Sequence, residues 1–333
     1  MILILTSSDD YSSLRVMDWL SHYSIPFKVI NESCEIETEN ITVSKDFGLD
    51  WIFTINNKGI NQSEKNSLAD IKSYWYRRAN FFQFFSLIAN KSNLAHGINK
   101  YLDTEIGVLN RLVHLELDTI PHIGGYSHNI TNKVFNLSLA QKCGLDIPST
   151  VVTNSKKFID FDISKSKKLI TKPLFYGYFD VPQSNMQVKF LTKEVFEENI
   201  NNYPSDFFFP TKFQELLEKK FELRVFYLNG KFFASAIFSQ QDEQTKVDFR
   251  NYNYQKPNRT PPFELPEYIK NKLNRFMQLL NMNTGSIDMV VTNDNRFVFL
   301  EVNPVGQFDQ VSRPCNFYIE RFIAKTLINN NEN

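Results

Sequence analysis

The apolar and polar positions at the start of the chain follow a strand, helix, strand pattern. Residues 1–5 form a short apolar run, which predicts a buried strand. Asp9 or Asp10 can cap the next element, where apolar side chains recur at three-residue steps over 14–23, as they do in a helix. Residues 27–30 are again strand-like, so the chain is predicted to open with an α/β unit.

The following residues extend this unit into a first lobe. Apolar runs predict strands at 41–43, 51–54 and 73–77, and a long amphipathic helix is predicted over 98–117. A proline follows residue 120, where we expect the lobe to end. No GxGxxG motif follows the first strand, which disfavours a dinucleotide-binding domain.

The middle of the chain carries the signals of short elements of both kinds. A helix is predicted over 132–143, and Gly144 is placed to end it. Strands are predicted at 148–152 and 168–172, with a helix over 155–161 between them. These elements predict a small central lobe.

The last third of the chain changes to an antiparallel pattern. Strands are predicted at 213–217, 222–227 and 231–238, and Asn229-Gly230 is a strong signal for a hairpin turn between the last two. Local pairing of this kind predicts an α+β region after the α/β start.

Four further segments complete the prediction. Residues 241–262 are polar, contain proline and predict an irregular functional loop. A helix is predicted over 266–280, with proline in its first turn. The apolar runs 287–291 and 297–302, joined by an Asn/Asp turn, predict a second hairpin. A last helix is predicted over 316–328, with frayed residues after it.

Composition narrows the class of protein. The chain has 333 residues, enough for several lobes, and equal numbers of basic and acidic residues, 37 each. Zero net charge argues against nucleic acid as the main partner, although a local basic patch stays open.

The cysteines and the apolar runs bear on location. Cys34, Cys143 and Cys315 are widely spaced without a CxxC, which fits a reducing cytoplasm and excludes a zinc cluster of the usual spacing. We find neither a signal-peptide pattern nor a run long enough for a membrane, so we expect a soluble cytoplasmic protein.

The second hairpin carries the most informative polar residues. Asp288 lies in its first strand, and Glu301 and Asn303 lie in its second, so the three side chains can converge. Their hard oxygen atoms suit Mg²⁺. The alternative is that they are turn and edge residues without a metal. The apolar run around Glu301 favours the metal, because a carboxylate buried there needs a cation.

These residues carry a family resemblance. The pattern D…FLEVNP resembles the Mg²⁺-binding end of the ATP-grasp superfamily, ligases that activate a carboxylate as an acyl phosphate. The order of YWYRR, TKP, QELLEKKFELRVF, VDFR, TGSID and FLEVNPVGQF is similar to that of the ATP-grasp peptide maturases that make graspetides, the microviridin-type macrocycles, in their grasp-with-spasm variant. The resemblance runs through nearly the whole chain.

The resemblance implies an ATP-grasp fold in three domains. An open-sheet α/β domain is expected over 1–120, a small central lobe over 121–213, and a C-terminal lobe with an antiparallel sheet and the Mg²⁺ site over 214–333. ATP is expected to lie between the second and third of these domains.

Two lysines are expected at the phosphates of ATP. Lys172 ends a predicted strand beside a loop, from which a lysine can reach a phosphate as a point charge. The resemblance favours that role over a solvated strand-end lysine. It also matches Lys133 to a second phosphate contact, while an exposed lysine in the first turn of a helix is the alternative.

The run after the central lobe matches the part of the family that holds the nucleoside. The resemblance implies that the backbone and apolar walls of a short linker read the adenine; these residues are Gln214, Glu215, Leu216 and Leu217. Glu222 would bind the ribose hydroxyls, with Glu218 as the competitor. Arg224, a cation in an apolar strand, needs a carboxylate or a phosphate, and the resemblance places it near the γ-phosphate.

The residues expected to contact the peptide lie in two separate segments of the chain. The resemblance implies that Asp248 and Arg250 hold the peptide acceptor or its carboxylate, and a plain loop ion pair is the alternative. The cluster at Tyr76, Arg77 and Arg78 could bind peptide or order the surface between lobes, and no catalytic role is expected of it.

The resemblance therefore implies an ATP- and Mg²⁺-dependent macrocyclase that joins side chains of a precursor peptide, which has a leader and a core. Two alternatives stay open: a ligase that adds amino acids to a protein or small peptide, and a nucleotide-binding module without turnover. The sequence decides neither the ring chemistry nor the oligomeric state, a homodimer included.

Overall fold

A computed structural model of the chain describes residues 1–45, 48–57, 63–82, 93–128, 131–159, 168–174, 177–181, 186–190, 192–240, 242, 244–245 and 253–332. The chain divides into two compact units, Met1–Ile130 with Tyr318–Asn333 and Thr131–Phe317. The three-domain division expected from the sequence stays a prediction.

The strands are β1 (Ile2–Leu5), β2 (Phe27–Ile30), β3 (Cys34–Ser44), β4 (Gly48–Asn57), β5 (Ser63–Ser67), β6 (Ser73–Tyr76), β7 (His122–Ile123), β8 (Thr150–Ser155), β9 (Leu169–Thr171), β10 (Tyr178–Asp180), β11 (Gln187–Lys189), β12 (Lys193–Val195), β13 (Phe207–Glu215), β14 (Lys219–Leu228), β15 (Lys231–Ile237), β16 (Pro262–Phe263), β17 (Thr284–Thr292) and β18 (Phe297–Asn303). The helices are α1 (Tyr11–His22), α2 (Asn93–Leu117), α3 (Lys133–Lys142), α4 (Glu197–Asn201), α5 (Glu267–Leu279), α6 (Asp309–Cys315) and α7 (Ile319–Glu332). None of the helices in the described ranges combines the length and apolar character that a membrane crossing requires.

The first unit is built on a parallel sheet of order β2-β1-β6-β7. Every residue of β1 is buried, as its unbroken apolar run predicts for the inner strand of a parallel sheet. Asp10 caps α1 by accepting a hydrogen bond from the Ser12 amide, which confirms the predicted start of this helix. Strands β3, β4 and β5 form a separate antiparallel sheet.

An ion pair between Asp10 and Arg77 lies at the carboxyl end of the parallel sheet. The Arg77 Nε atom lies 2.9 Å from an Asp10 carboxylate oxygen, and the arginine side chain is almost fully buried. Burial alone would raise the pKa of Asp10, but the charge and hydrogen bonds of Arg77 outweigh it and hold that pKa below its usual value. Arg77 therefore has a structural partner, while Arg78 next to it is exposed.

Helix α7 belongs to the first unit. It packs against α1, β6, β1 and β7 and buries Ile319, Ile323, Ala324 and Leu327. The sequence prediction of a final helix is confirmed, but its bounds of 316–328 were wrong. The helix starts later and continues to Glu332, where frayed residues were expected. Helix α6 before it was not predicted.

Besides the two-stranded sheet β10-β11, the second unit contains two larger sheets, and the smaller of these two has the order β12-β9-β13-β8. One face of this sheet covers a small apolar cluster that includes Leu169, Val195 and Phe213. The helix predicted over 155–161 is wrong for its described part, because Ser155 pairs with Phe207 as the last residue of β8. Only a 3₁₀ turn, Lys156–Phe158, follows it.

The larger sheet of this unit is antiparallel, with the order β16-β15-β14-β17-β18. The predicted Asn229-Gly230 turn is confirmed: it joins β14 to β15, and both residues have positive φ, +47° and +83°. The predicted second hairpin is confirmed as β17 and β18. One face of the sheet packs its apolar side chains against α3 and α5, which leaves the other face for polar residues.

Candidate functional site

The polar face of the larger sheet collects the charged residues of three neighbouring strands. Arg224 of β14 lies opposite Asp288 of β17, which in turn lies opposite Glu301 of β18. Glu222 and Asn303 are two residues along their strands from Arg224 and Glu301, so they share this face. The alternation of side chains along each strand and the register between the strands thus place all five side chains on one face of the sheet.

Arg224 and Asp288 form a buried ion pair. One Nη atom of Arg224 lies 2.6 Å and 2.8 Å from the two carboxylate oxygens of Asp288. Both residues are less than one-tenth exposed, so each charge needs the other. The Nε atom of Arg224 is a buried donor without a hydrogen-bond partner among the described residues. Arg224 can therefore donate one further hydrogen bond to an acceptor.

Glu301 has a lysine as its counter-ion. The Lys133 Nζ atom lies 3.0 Å from a Glu301 carboxylate oxygen, and the glutamate is buried. Lys133 is the first residue of α3, and Asn132 fixes the start of this helix by accepting hydrogen bonds from the amides of Val134 and Phe135. The helix cap therefore positions the lysine against the sheet.

Asp288, Glu301 and Asn303 offer a fitting set of ligands for Mg²⁺. Two carboxylates and an amide oxygen are hard donors, and ligands supplied by a phosphate and water commonly complete such a shell. No group of three or more His, Cys, Asp and Glu side chains in the described ranges could hold a metal, so Asn303 and an outside oxygen would be required. The carboxylate of Asp288 is paired with Arg224, and that of Glu301 is paired with Lys133. A bound metal ion would compete with these two side chains for the carboxylate oxygens or bind alongside them.

A cleft between the four-stranded and the five-stranded sheet of the second unit brings most of the predicted site residues together. The residues that line it are Ile170, Lys172, Thr192, Gln214, Glu215, Leu216, Leu217, Lys219, Glu222, Asp288, Val290, Leu300 and Glu301. Lys133 and Arg224 are outside this lining, but each contacts a carboxylate that belongs to it. Asn303 is likewise outside it. Asp248 and Arg250 lie outside the described residues.

The short linker between the two sheets is part of the cleft lining. β13 ends at Glu215 and β14 begins at Lys219, so Leu216 and Leu217 cross from one sheet to the other. The amide of Leu216 donates to the carbonyl of Lys168 at 3.0 Å, which anchors the linker at its first residue. An apolar wall beside a backbone edge suits a flat heteroaromatic ring.

The choice between Glu218 and Glu222 follows from packing. Glu222 lines the cleft and is 6% exposed, whereas Glu218 is not among the lining residues. A carboxylate oxygen of Glu222 accepts from Lys219 Nζ at 2.6 Å and from Ser239 Oγ at 2.9 Å. These two donors hold the Glu222 carboxylate in one orientation at the cleft.

Sequence reasoning missed Lys212, Lys219 and Ser239. Lys212 is 2% exposed, a rare environment for a lysine. Burial, together with the charges of Lys172 and Lys133, lowers the pKa of Lys212 to about 7. The one signal in the sequence was a lysine two residues before Gln214, on the same face of a strand. Ser239 carried no such signal.

A larger cavity in the first unit is less suited to an anionic ligand. Its volume is about 520 Å³, against about 70 Å³ for the cleft. It lies at the carboxyl end of the parallel sheet, and Glu32 and Asp103 contribute carboxylates to its wall. No Lys or Arg is among the described residues that line it. The cleft, although smaller, is therefore the better candidate for the functional site, because its lining carries both cations and carboxylates.

Comparison with known proteins gives the same fold over the whole chain. No protein-family model and no curated protein matches the sequence. The crystal structure of macrocyclase MdnC bound with precursor peptide MdnA, from Microcystis aeruginosa, superposes with a TM-score of 0.77 at 24% identity, over 98% of this chain and 99% of that one.

Two further solved structures have a similar fold. The RiPP-associated ATP-grasp ligase of Chryseobacterium gregarium, in complex with ADP and a leader and core peptide, has a TM-score of 0.75 at 24% identity, over 98% of this chain and 94% of that one. D-alanyl-alanine synthetase A of Vibrio cholerae has a TM-score of 0.51 at 16% identity, over 100% of this chain and 98% of that one. The chain therefore has the mixed α/β fold of the ATP-grasp ligases.

Proposed function

We propose that this protein is an ATP- and Mg²⁺-dependent peptide macrocyclase, which joins side chains of a ribosomally made precursor peptide. The observation that carries the proposal is the set of groups that line one cleft. An apolar linker, the carboxylate of Glu222, the ammonium of Lys172 and the carboxylates of Asp288 and Glu301 all belong to this lining. These are the kinds of group that suit the base, the ribose, the phosphates and the metal of a bound nucleoside triphosphate.

The choice of peptide as the acceptor rests on the structural neighbours. MdnC is bound with precursor peptide MdnA, and the Chryseobacterium ligase is in complex with ADP and a leader and core peptide. Both cover nearly the whole of this chain, so the likeness extends beyond the nucleotide cleft. We infer a leader and a core as the partner and a reducing cytoplasm as the location, where the described cysteines are free thiols.

The residues of the cleft would hold the reactants as follows. The linker residues Gln214, Glu215, Leu216 and Leu217 bind the adenine, and Glu222 accepts from the ribose hydroxyls. Lys172 and Lys133 contact the phosphates. Asp288, Glu301 and Asn303 hold Mg²⁺, which when bound neutralises the charge that develops on the phosphate oxygens.

The reaction then has two displacements. An Asp or Glu carboxylate of the peptide attacks the γ-phosphorus, and the bond from phosphorus to the ADP oxygen breaks. A Ser or Thr hydroxyl, or a Lys amine, of the same peptide next attacks the acyl carbon. Phosphate leaves, the nucleophile loses its proton, and a lactone or lactam closes.

Arg224 contributes fixed positive charge to both steps. Its Nη atom is held by Asp288, while its Nε donor is buried without a partner among the described residues. A donor fixed in this way stabilises developing negative charge without reorganising. Lys172, at the end of β9, provides a second cation on the opposite wall. We propose that Asp248 and Arg250 hold the acceptor side chain.

The experiment is incubation of the protein with ATP, Mg²⁺ and a peptide encoded beside its gene that is rich in Thr and in Asp or Glu. We expect ADP release and the loss of one water from the peptide mass for each ring. The same peptide with Asn and Gln in place of its acidic residues is the control and should keep its mass.

The alternatives give different masses. A ligase that adds amino acids would increase the mass of its acceptor when free amino acids are supplied. A nucleotide-binding module without turnover would release no ADP with any peptide. Either result would overturn the macrocyclase proposal.

A further inference from the structure

Lys212 lies on the face of the smaller sheet that carries the cleft residues. Its neighbour in sequence, Phe213, points into the apolar cluster beneath this sheet. Lys212 and Gln214 therefore point to the other face, because side chains alternate along a strand. Gln214 lines the cleft. The side chain of Lys212, two residues earlier in β13, is therefore directed toward the same side of the sheet.

The ammonium group of Lys212 has no anionic partner within the described residues. Its Nζ atom donates to the carbonyl of Pro173 at 3.3 Å, a neutral acceptor, and forms no ion pair there. The side chain is nevertheless among the largest fully buried ones of the chain. A buried ammonium without a counter-ion is strongly unfavourable, so an anionic ligand that reached Lys212 would be stabilised there.

The other charges around Lys212 make its buried ammonium form still less favourable. The charged groups that act on it are Lys172 at the end of β9, Lys133 of α3 and Glu301 of β18. Two of them are cations that repel Lys212, and the one carboxylate is already paired with Lys133. The net effect of these three charges on the Lys212 ammonium is repulsive, and a bound polyanion would offset it.

We propose that Lys212 is a third lysine of the nucleotide phosphate site and that the phosphate chain supplies the anionic partner that the protein itself withholds. This inference rests on the proposed ATP-dependent function. It adds a phosphate-binding residue that neither the motif pattern nor the lining of the cleft identifies.

Nucleotide binding at this site would be coupled to the protonation of Lys212. Burial first, and then the charges of Lys172 and Lys133, lower the pKa of Lys212 to about 7, while Glu301 opposes them. Above that pH the protein without nucleotide has lost the Lys212 proton. A bound polyphosphate favours the ammonium form and raises this pKa, so nucleotide binding above pH 7 takes up a proton at Lys212.

The test is isothermal titration calorimetry of Mg²⁺–ADP binding to the full chain at pH 8, in two buffers of different ionisation enthalpy. For the unmodified protein we expect proton uptake and an affinity that falls as the pH rises above about 7. For Lys212→Met we expect roughly 10- to 100-fold weaker binding, the range for a charged hydrogen bond, and a reduced proton uptake. Titration of the nucleotide phosphates is common to all variants and cancels in the comparison.

Two control variants separate the possible causes. Lys212→Arg keeps the charge but does not deprotonate in this range, so it should bind nucleotide without the proton uptake. Lys193→Met removes an exposed lysine of the same sheet and should leave both quantities unchanged.

Thermal unfolding without nucleotide distinguishes phosphate binding from a structural role. Lys212→Met should unfold at the same or a higher temperature, because it removes a buried amine whose charged form is unfavourable in the folded state. A structural lysine would instead lower that temperature. Unchanged ADP affinity and proton uptake in Lys212→Met would overturn the inference, whereas failure of the unmodified protein to bind ADP would overturn the proposed function itself.

Discussion

At the scale of single residues, the site is defined by carboxylates that already have cationic partners. Asp288 is paired with Arg224, and Glu301 is paired with Lys133. Both carboxylates are buried, and an unpaired buried carboxylate would take up a proton and lose its affinity for a metal. The two cations therefore give each proposed Mg²⁺ ligand a counter-charge within the protein.

The first prediction concerns Glu301→Gln, which preserves the size of the side chain and removes its charge. We expect ring formation to fall by at least about 100-fold, because a metal ion contributes several kcal/mol to charge stabilisation. The Mg²⁺ concentration needed for half-maximal rate should rise. The measurement is the rate of water loss from the peptide across a Mg²⁺ titration.

Glu264→Gln is the matched control for this change. Glu264 is exposed and pairs with Lys270 near the start of α5, away from the cleft. Its variant should keep the Mg²⁺ dependence of the unmodified protein. If Glu301→Gln keeps it too, Glu301 is not a ligand.

At the scale of elements, the turn after β18 decides where Asn303 lies. Gly306 has a φ of +63°, and its amide donates to the Asn303 carbonyl at 3.2 Å. A Cβ atom at Gly306 would lie 3.0 Å from the ring of Phe226 and 3.5 Å from the backbone of Gly285. The backbone conformation and the close approach therefore both require glycine here.

The second prediction is that Gly306→Ala lowers the free energy of unfolding by about 2–4 kcal/mol, from left-handed strain and overpacking combined. The displaced turn should also weaken the response to Mg²⁺ through Asn303. Denaturant unfolding and the same Mg²⁺ titration measure the two effects.

Gly97→Ala is the control with the opposite sign. Gly97 is a helical residue of α2 with no atom within 4 Å of an added Cβ. Alanine should stabilise the helix there by about 1 kcal/mol. Equal effects of the two substitutions would contradict the role given to the turn.

At the scale of the whole molecule, the chain leaves the first unit at residue 130 and returns to it for its last helix. Helix α7 buries Ile323 and Leu327 against the elements of this first unit. The C-terminal helix is therefore a part of the N-terminal core and not an extension of the sheet that carries the site.

The third prediction is that Leu327→Ala destabilises the first unit by about 2–5 kcal/mol, the range for a leucine removed from a packed core. Hydrogen–deuterium exchange should become faster in α1, α7 and β6. Exchange in β14 and β17, and the affinity for Mg²⁺–ADP, should stay the same.

Leu279→Ala is the comparison for this substitution. Leu279 is 57% exposed at the end of α5, so its loss should have little effect anywhere. Faster exchange in β14 or β17 of the Leu327 variant would show that α7 supports the second unit instead.

The sequence by itself determined the elements whose signals are local. The apolar run of β1, the Asp10 cap of α1, the Asn229-Gly230 turn and the β17–β18 hairpin were all predicted, because each depends on residues near one another in the chain. The hairpin also brought Asp288 and Glu301 opposite each other.

Only the tertiary structure decided the contacts between distant segments. It paired Lys133 with Glu301, selected Glu222 over Glu218 for the cleft, buried Lys212 and returned α7 to the first unit. The physical reason is that hydrophobic periodicity specifies which face of an element is buried. Which other element covers that face, and which charges it brings, depends on how the whole chain packs.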